Sequence, residues 1–107
     1  MQLLTKELRS RLPTLYVQEK DKDPTVHAKF FCPWSSWTWF ATEGGEQDGE
    51  FLFFGYVIGL DEEWGYFALS EMEAIRGPGG LTLERDLHFK PAPFSQVIEQ
   101  FRRERGG

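Results

Sequence analysis

The stretch Glu84-Arg85-Asp86-Leu87-His88-Phe89 sets two carboxylates, a guanidinium and an imidazole close together, the groups that metal ligation and acid–base chemistry draw on. Read as a strand, it alternates: Glu84, Asp86 and His88 fall on one face, Leu83, Arg85, Leu87 and Phe89 on the other. Residues i and i+4 of a strand stand about 13 Å apart at a rise of roughly 3.3 Å per residue. Ligands to one ion must lie within about 2–2.6 Å of it. One strand therefore supplies two of the three groups at most, and no metal site is expected here. Arg85 is the odd member, because a charge on an apolar face persists only when paired or hydrogen-bonded. It reads as a snorkelling end, a structural ion pair, or the ligand of an anionic group. With Trp39, Arg76, Glu84 and Asp86 it outlines one candidate pocket for a small ligand or a substrate.

Nucleophilic chemistry finds little support. His27 and Cys32 lie five apart in an alternating segment, so they point to opposite faces and cannot share a proton. Cys32 reads as a core residue, and as the single cysteine it excludes a disulfide framework. The run Arg76-Gly77-Pro78-Gly79-Gly80 resembles an anion-binding loop only in its glycines. A phosphate loop needs Gly-Lys-Ser/Thr opening a helix, whereas these glycines close one. No Ser-His-Asp arrangement, dinucleotide fingerprint or zinc spacing is present, so no cofactor is expected and an enzyme is the less favoured reading.

The other chemistry-bearing residues are rings and acids. Trp34, Trp37, Trp39, Phe40, Trp64 and Tyr66 could stack bases, but such platforms come with a basic groove. Here the same strands flank Glu43, Glu46, Asp48, Glu50, Asp61, Glu62, Glu63, Glu71 and Glu73, and no Lys, Arg or His falls between Glu43 and Ile75. With a net charge of −5, that pole disfavours nucleic acid and attracts cationic partners. Two readings stay open: loops and helix starts that collect acids as a matter of course, or a docking face. On the second, Glu43, Glu46, Asp48 and Glu50 steer a protein partner with a basic surface, and Trp34 or Trp64 supplies a desolvated anchor.

The elements that must position these residues follow from period and punctuation. Thr5 caps a short helix with Leu8, Leu12 and Leu15 on one stripe, limited by Pro13. Residues 18–25 form a solvated loop. Val26, Ala28, Phe30 and Cys32 alternate with His27, Lys29 and Phe31, a half-buried strand. Trp37–Thr42 is a second strand, Gly44–Glu50 an acidic hairpin loop, and Phe51–Ile58, apolar on both faces, a central strand covered by helices. Trp64–Leu69 follows, then a capping box from Ser70 to Glu73 opening a helix that Gly77 and Pro78 end. Leu83–Phe89 returns as a strand, and Phe94, Val97, Ile98 and Phe101 mark an amphipathic closing helix whose last turn carries Arg102, Arg103 and Arg105. The expected fold is α+β: an antiparallel meander of four to five strands with about three short helices packed on it. All 107 residues read as one domain. Residues 1–12 have no apolar h-region and the longest nearly apolar run, Phe51–Leu60, is short of the roughly 18 residues a span requires. A soluble, cytoplasmic protein is therefore expected, with no membrane partner.

The segments Leu-Leu-Thr (3–5), Lys-Phe-Phe (29–31), Trp-Thr-Trp (37–39) and Phe-Leu-Phe-Phe-Gly (51–55) carry a resemblance that composition does not demand. Trp-Gly-Tyr-Phe (64–67), Arg-Gly-Pro-Gly-Gly-Leu (76–81) and Glu-Arg-Asp-Leu (84–87) extend it over most of the chain. In these the chain resembles the bacterial family of domain of unknown function 2958. The resemblance brings no activity and no catalytic residues. It implies an accessory role connected with plasmids and other mobile elements.

Overall fold

The computed structural model describes residues 1–106. Thr5 accepts a hydrogen bond on its side chain from the Leu8 amide at 3.1 Å, starting α1 (Lys6–Arg11) as its cap. Leu8 and Leu12 are buried, and Pro13 follows directly.

After the segment 13–24 come β1 (Thr25–Val26), β2 (Ala28–Phe31), β3 (Thr38–Gln47), β4 (Glu50–Ile58) and β5 (Glu62–Ala68). Then follow α2 (Leu69–Ala74), a 3-10 turn at Pro78–Gly80, β6 (Glu84–Arg85), β7 (Ala92–Pro93) and α3 (Phe94–Glu104). The main sheet is antiparallel in the order β5-β4-β3-β2-β6, while β1 and β7 pair separately. β2 to β5 form the meander, and the fold is α+β. β4 lies inside the sheet, as its two apolar faces require.

Each face of the sheet has its own core. On one, Phe30, Phe53, Phe67 and Leu83 pack with Leu8 and Leu12 below α1 and with Met72 of α2. On the other, Phe40 and Ile58 pack with Val26 and with Val97 and Ile98 of α3, flanked by Tyr56, Phe94 and Phe101. The alternation of β1 and β2 is observed: Val26, Ala28, Phe30 and Cys32 are buried and the residues between them are not.

Three local expectations are corrected. The segment Gly44–Glu50 is not a loop. β3 runs to Gln47 and β4 starts at Glu50, leaving Asp48 (φ 54°) and Gly49 (φ 80°) as a two-residue turn. Both turn residues are left-handed, the geometry that matches strand twist. Gly44 is glycine for room, since a Cβ there would sit 2.9 Å from the Phe51 ring. Ser70 is not a cap: α2 begins at Leu69 with Ala68 before it, and the Ser70 hydroxyl donates to Glu50 instead. The strand expected over Leu83–Phe89 lasts only through Arg85. Asp86 accepts from the His88 amide at 2.9 Å, turning the chain and leaving Leu87 exposed. Glu84, Asp86 and His88 therefore share no extended face. No helix among the described residues is long and apolar enough to cross a membrane.

Candidate functional site: an aromatic cleft over a buried carboxylate

β3 does not keep one register against β4. Ala41 faces Gly55, yet Glu43 faces Phe54, so one residue is extra on β3. Strict alternation would put Glu43 on the face of Trp39 and Ala41. The bulge turns it to the face of Phe40 and Phe54. Thr42, at the bulge, donates its hydroxyl to the Phe54 carbonyl at 3.1 Å.

Glu43 is 3% exposed, and a carboxylate that deep needs donors. It accepts from the Tyr16 amide at 2.8 Å and from the Gln18 amide at 2.5 Å. The Gln18 side chain donates to the Thr42 carbonyl at 2.8 Å and accepts from the Thr25 amide at 3.0 Å. The polar segment after Pro13 is thus fastened to the sheet along its length. Tyr16 has φ 74°, a left-handed conformation that costs of order 1–3 kcal/mol in a residue with a Cβ. The contact between its amide and Glu43 holds it there.

This arrangement opens a cleft of about 370 Å³ between the segment and the sheet, lined by Tyr16, Glu19, Asp21, Phe54, Trp64 and Tyr66 among others. Phe54 packs on Tyr66 with ring centroids 4.9 Å apart, and lies nearly parallel to Trp64 at 6.0 Å. Tyr16 meets the edge of Tyr66 at 6.3 Å, and Phe94 of α3 closes the far side against Trp64 at 4.6 Å. Three of these rings remain substantially open: Trp64 at 39%, Tyr66 at 51% and Tyr16 at 52%. Glu19, Asp21 and Glu43 outnumber the one cation of the lining, Lys22. Desolvation, the Tyr16 hydroxyl and the charges of Glu43 and Glu19 push the Tyr66 phenol up from its ordinary value, keeping it neutral. Among the described residues no group of three or more His, Cys, Asp or Glu could hold a metal ion. The cleft offers ring faces and negative charge.

The candidate residues of the acidic hairpin separate. Glu43 leaves the exposed set, because it is buried and its oxygens are taken by backbone amides. Glu46 pairs with Arg9 at 2.6 Å, Glu50 accepts from Ser70, and Asp48 stands at the tip of the turn. Trp34 is half-buried against Gly77, where an added Cβ would come 2.5 Å from its ring. Trp64 faces Tyr56, six residues along β4 from Glu50, or about 20 Å. The exposed acids of the turn and the open tryptophan are at different places on the sheet.

The alternative pocket also comes apart. Trp39 is buried in the first core, and Phe30 of β2 stands between it and Arg85. Arg76 donates to the carbonyls of Glu73 and Ile75 at the end of α2. Glu84 faces Phe31, and Asp86 pairs with Lys29 at 3.8 Å. Of this set only Arg85 and Asp86 line a common cavity, with Arg11 and His27.

Tyr16, Glu19, Asp21 and Phe54 are cleft residues that sequence reasoning did not single out. The signal available was the even-numbered pair Phe54 and Tyr56, which a short hairpin sets against Tyr66 and Trp64. The bulge and the return of the 13–24 segment leave no mark in local pattern.

No curated protein and no solved structure matches the chain. Residues 3–106 match the family described as "Protein of unknown function (DUF2958)". That match covers nearly the whole described chain, and by it the chain belongs to this family.

Proposed function

We propose that the protein is a binding module whose site is the cleft of Tyr16, Phe54, Trp64 and Tyr66, and whose ligand is an arginine or lysine side chain on a partner protein with a basic surface. The observation that carries this reading is the convergence of three partly exposed rings, Tyr16, Trp64 and Tyr66, beside Glu19 and Asp21. Ring faces attract a cation by roughly 0.5–2 kcal/mol each, more as water is excluded. The exposed acids Glu46, Asp48 and Glu50 act at longer range, raising the encounter rate with a basic partner.

The test is titration with an arginine-containing peptide, followed by the indole N–H resonance of Trp64, with the citrulline version of the peptide as control. The charged peptide shifts the Trp64 signal and binds more weakly as salt rises, and Trp64→Ala lowers its affinity at least tenfold. Binding that is insensitive to salt, or that survives Trp64→Ala unchanged, refutes the reading.

A further inference from the structure

At the edge of the sheet, beside β6, another cavity of about 140 Å³ is lined by Arg11, His27, Arg85 and Asp86 with Leu87 and Phe89. Three basic side chains thus meet one acid. That acid is already engaged: Asp86 accepts from the His88 amide and pairs with Lys29. Among the described residues neither Arg11 nor Arg85 forms an ion pair. The Arg85 Nε is buried and has no hydrogen-bond partner. A buried donor left unpaired is costly and rare in folded proteins, and a guanidinium more so. Burial first, and then the charge of Arg11, hold the His27 imidazole below its ordinary pKa.

We propose that this cavity is a site for a phosphate group, free or as a monoester, held by Arg11 and Arg85 with His27 at its side. Guanidinium forks match the oxygen geometry of phosphate, and its two charges match the two unpaired arginines. The cavity admits a small oxyanion and excludes a peptide segment. No residue lines both this cavity and the aromatic cleft of Trp64 and Tyr66, so the two sites are independent.

The test is titration of the intact protein with inorganic phosphate, with methyl phosphate, and with acetate and chloride at matched ionic strength. Thermal unfolding and the His27 ring resonances are the two readouts. Phosphate raises the melting temperature to a plateau and moves the His27 signals. Arg11→Gln and Arg85→Gln each weaken binding at least tenfold, and Trp64→Ala leaves it unchanged. Arg11 is exposed, so Arg11→Gln decides the matter even where Arg85→Gln does not fold. Response to methyl phosphate as well as to the inorganic ion assigns the site to phosphate esters, and response to the ion alone assigns it to free phosphate. An equal response to acetate or chloride, or undiminished phosphate binding by Arg11→Gln, overturns the proposal.

Discussion

Phe53 and Phe54 are neighbours in the chain and live in opposite surroundings. Phe53 is completely buried, with Phe30, Phe51 and Phe67 each within 5.3 Å between ring centroids. Phe54 stacks on Trp64 and Tyr66, whose outer faces meet solvent. The two faces differ in what covers them. α1 and α2 close the first, while the second has α3 at one end and the 13–24 segment at the other. The eleven residues of α3 span about 16 Å at 1.5 Å per residue. The nine of β4 run about 30 Å. A helix of that length leaves part of a strand uncovered, and here the uncovered part is aromatic. The first face is therefore closed over its aromatic core, and the second leaves rings partly exposed.

The sharpest way to break this contrast is to truncate the two phenylalanines in turn. Phe53→Ala is expected to cost about 3–5 kcal/mol, and Phe54→Ala about 1–2 kcal/mol, since its site is open to water. Urea unfolding measures both. Equal losses would mean that the second face is as closed as the first. Next in size is Glu43→Gln, which keeps the shape but sets one of the two amides, at Tyr16 or Gln18, against an NH2 group that cannot accept. A loss of about 1.5–3 kcal/mol is expected, the range for hydrogen bonds to a charged group. A loss below about 0.5 kcal/mol would show that the carboxylate does not hold the 13–24 segment.

The contrast between faces was partly legible in the sequence. The period of two in residues 26–32, the apolar run of β4 and the spacing of Phe94, Val97, Ile98 and Phe101 state where each side chain points, because those patterns are set by backbone geometry alone. The capping role of Thr5 was equally local. Glu43 failed for a physical reason: an extra residue in β3 reverses every facing beyond it, and nothing in the identity of Ala41, Thr42 or Glu43 announces a bulge. The polar residues 18–25 read as a free loop because their partners, Glu43 and Thr42, lie far along the chain. Asp48-Gly49 was a hairpin signal hidden among further acids and glycines. Arg85 was placed correctly on the apolar face, while its neighbours Arg11 and His27 come from elements whose proximity depends on tertiary packing.

The remaining tests sharpen the comparison by separating binding from stability. Trp64→Ala is expected to cost about 1–3 kcal/mol, since Trp64 is partly exposed but packs on Phe54, Tyr56 and Phe94, while removing the cation response of the cleft. Protonation probes the sheet edge beside β6. The His27 pKa in the folded state lies below the ordinary imidazole value of 6.5, so below that value the unfolded chain binds more protons than the folded one. The contribution of His27 is then complete above pH 6.5 and declines as the pH falls toward the folded pKa. His27→Gln is expected to flatten the urea midpoint over that window, and an unchanged slope would place His27 in water. The smallest effect belongs to Asp48→Asn. Asparagine tolerates the left-handed conformation at the tip of the turn, and the carboxylate lies far from the rings, so stability should move by less than about 0.5 kcal/mol. Peptide affinity at moderate salt should also be nearly unchanged, because a charge that far from the rings is screened. If Asp48→Asn instead weakens binding as much as Trp64→Ala does, the partner grips the hairpin tip and the open rings of the second face are bystanders.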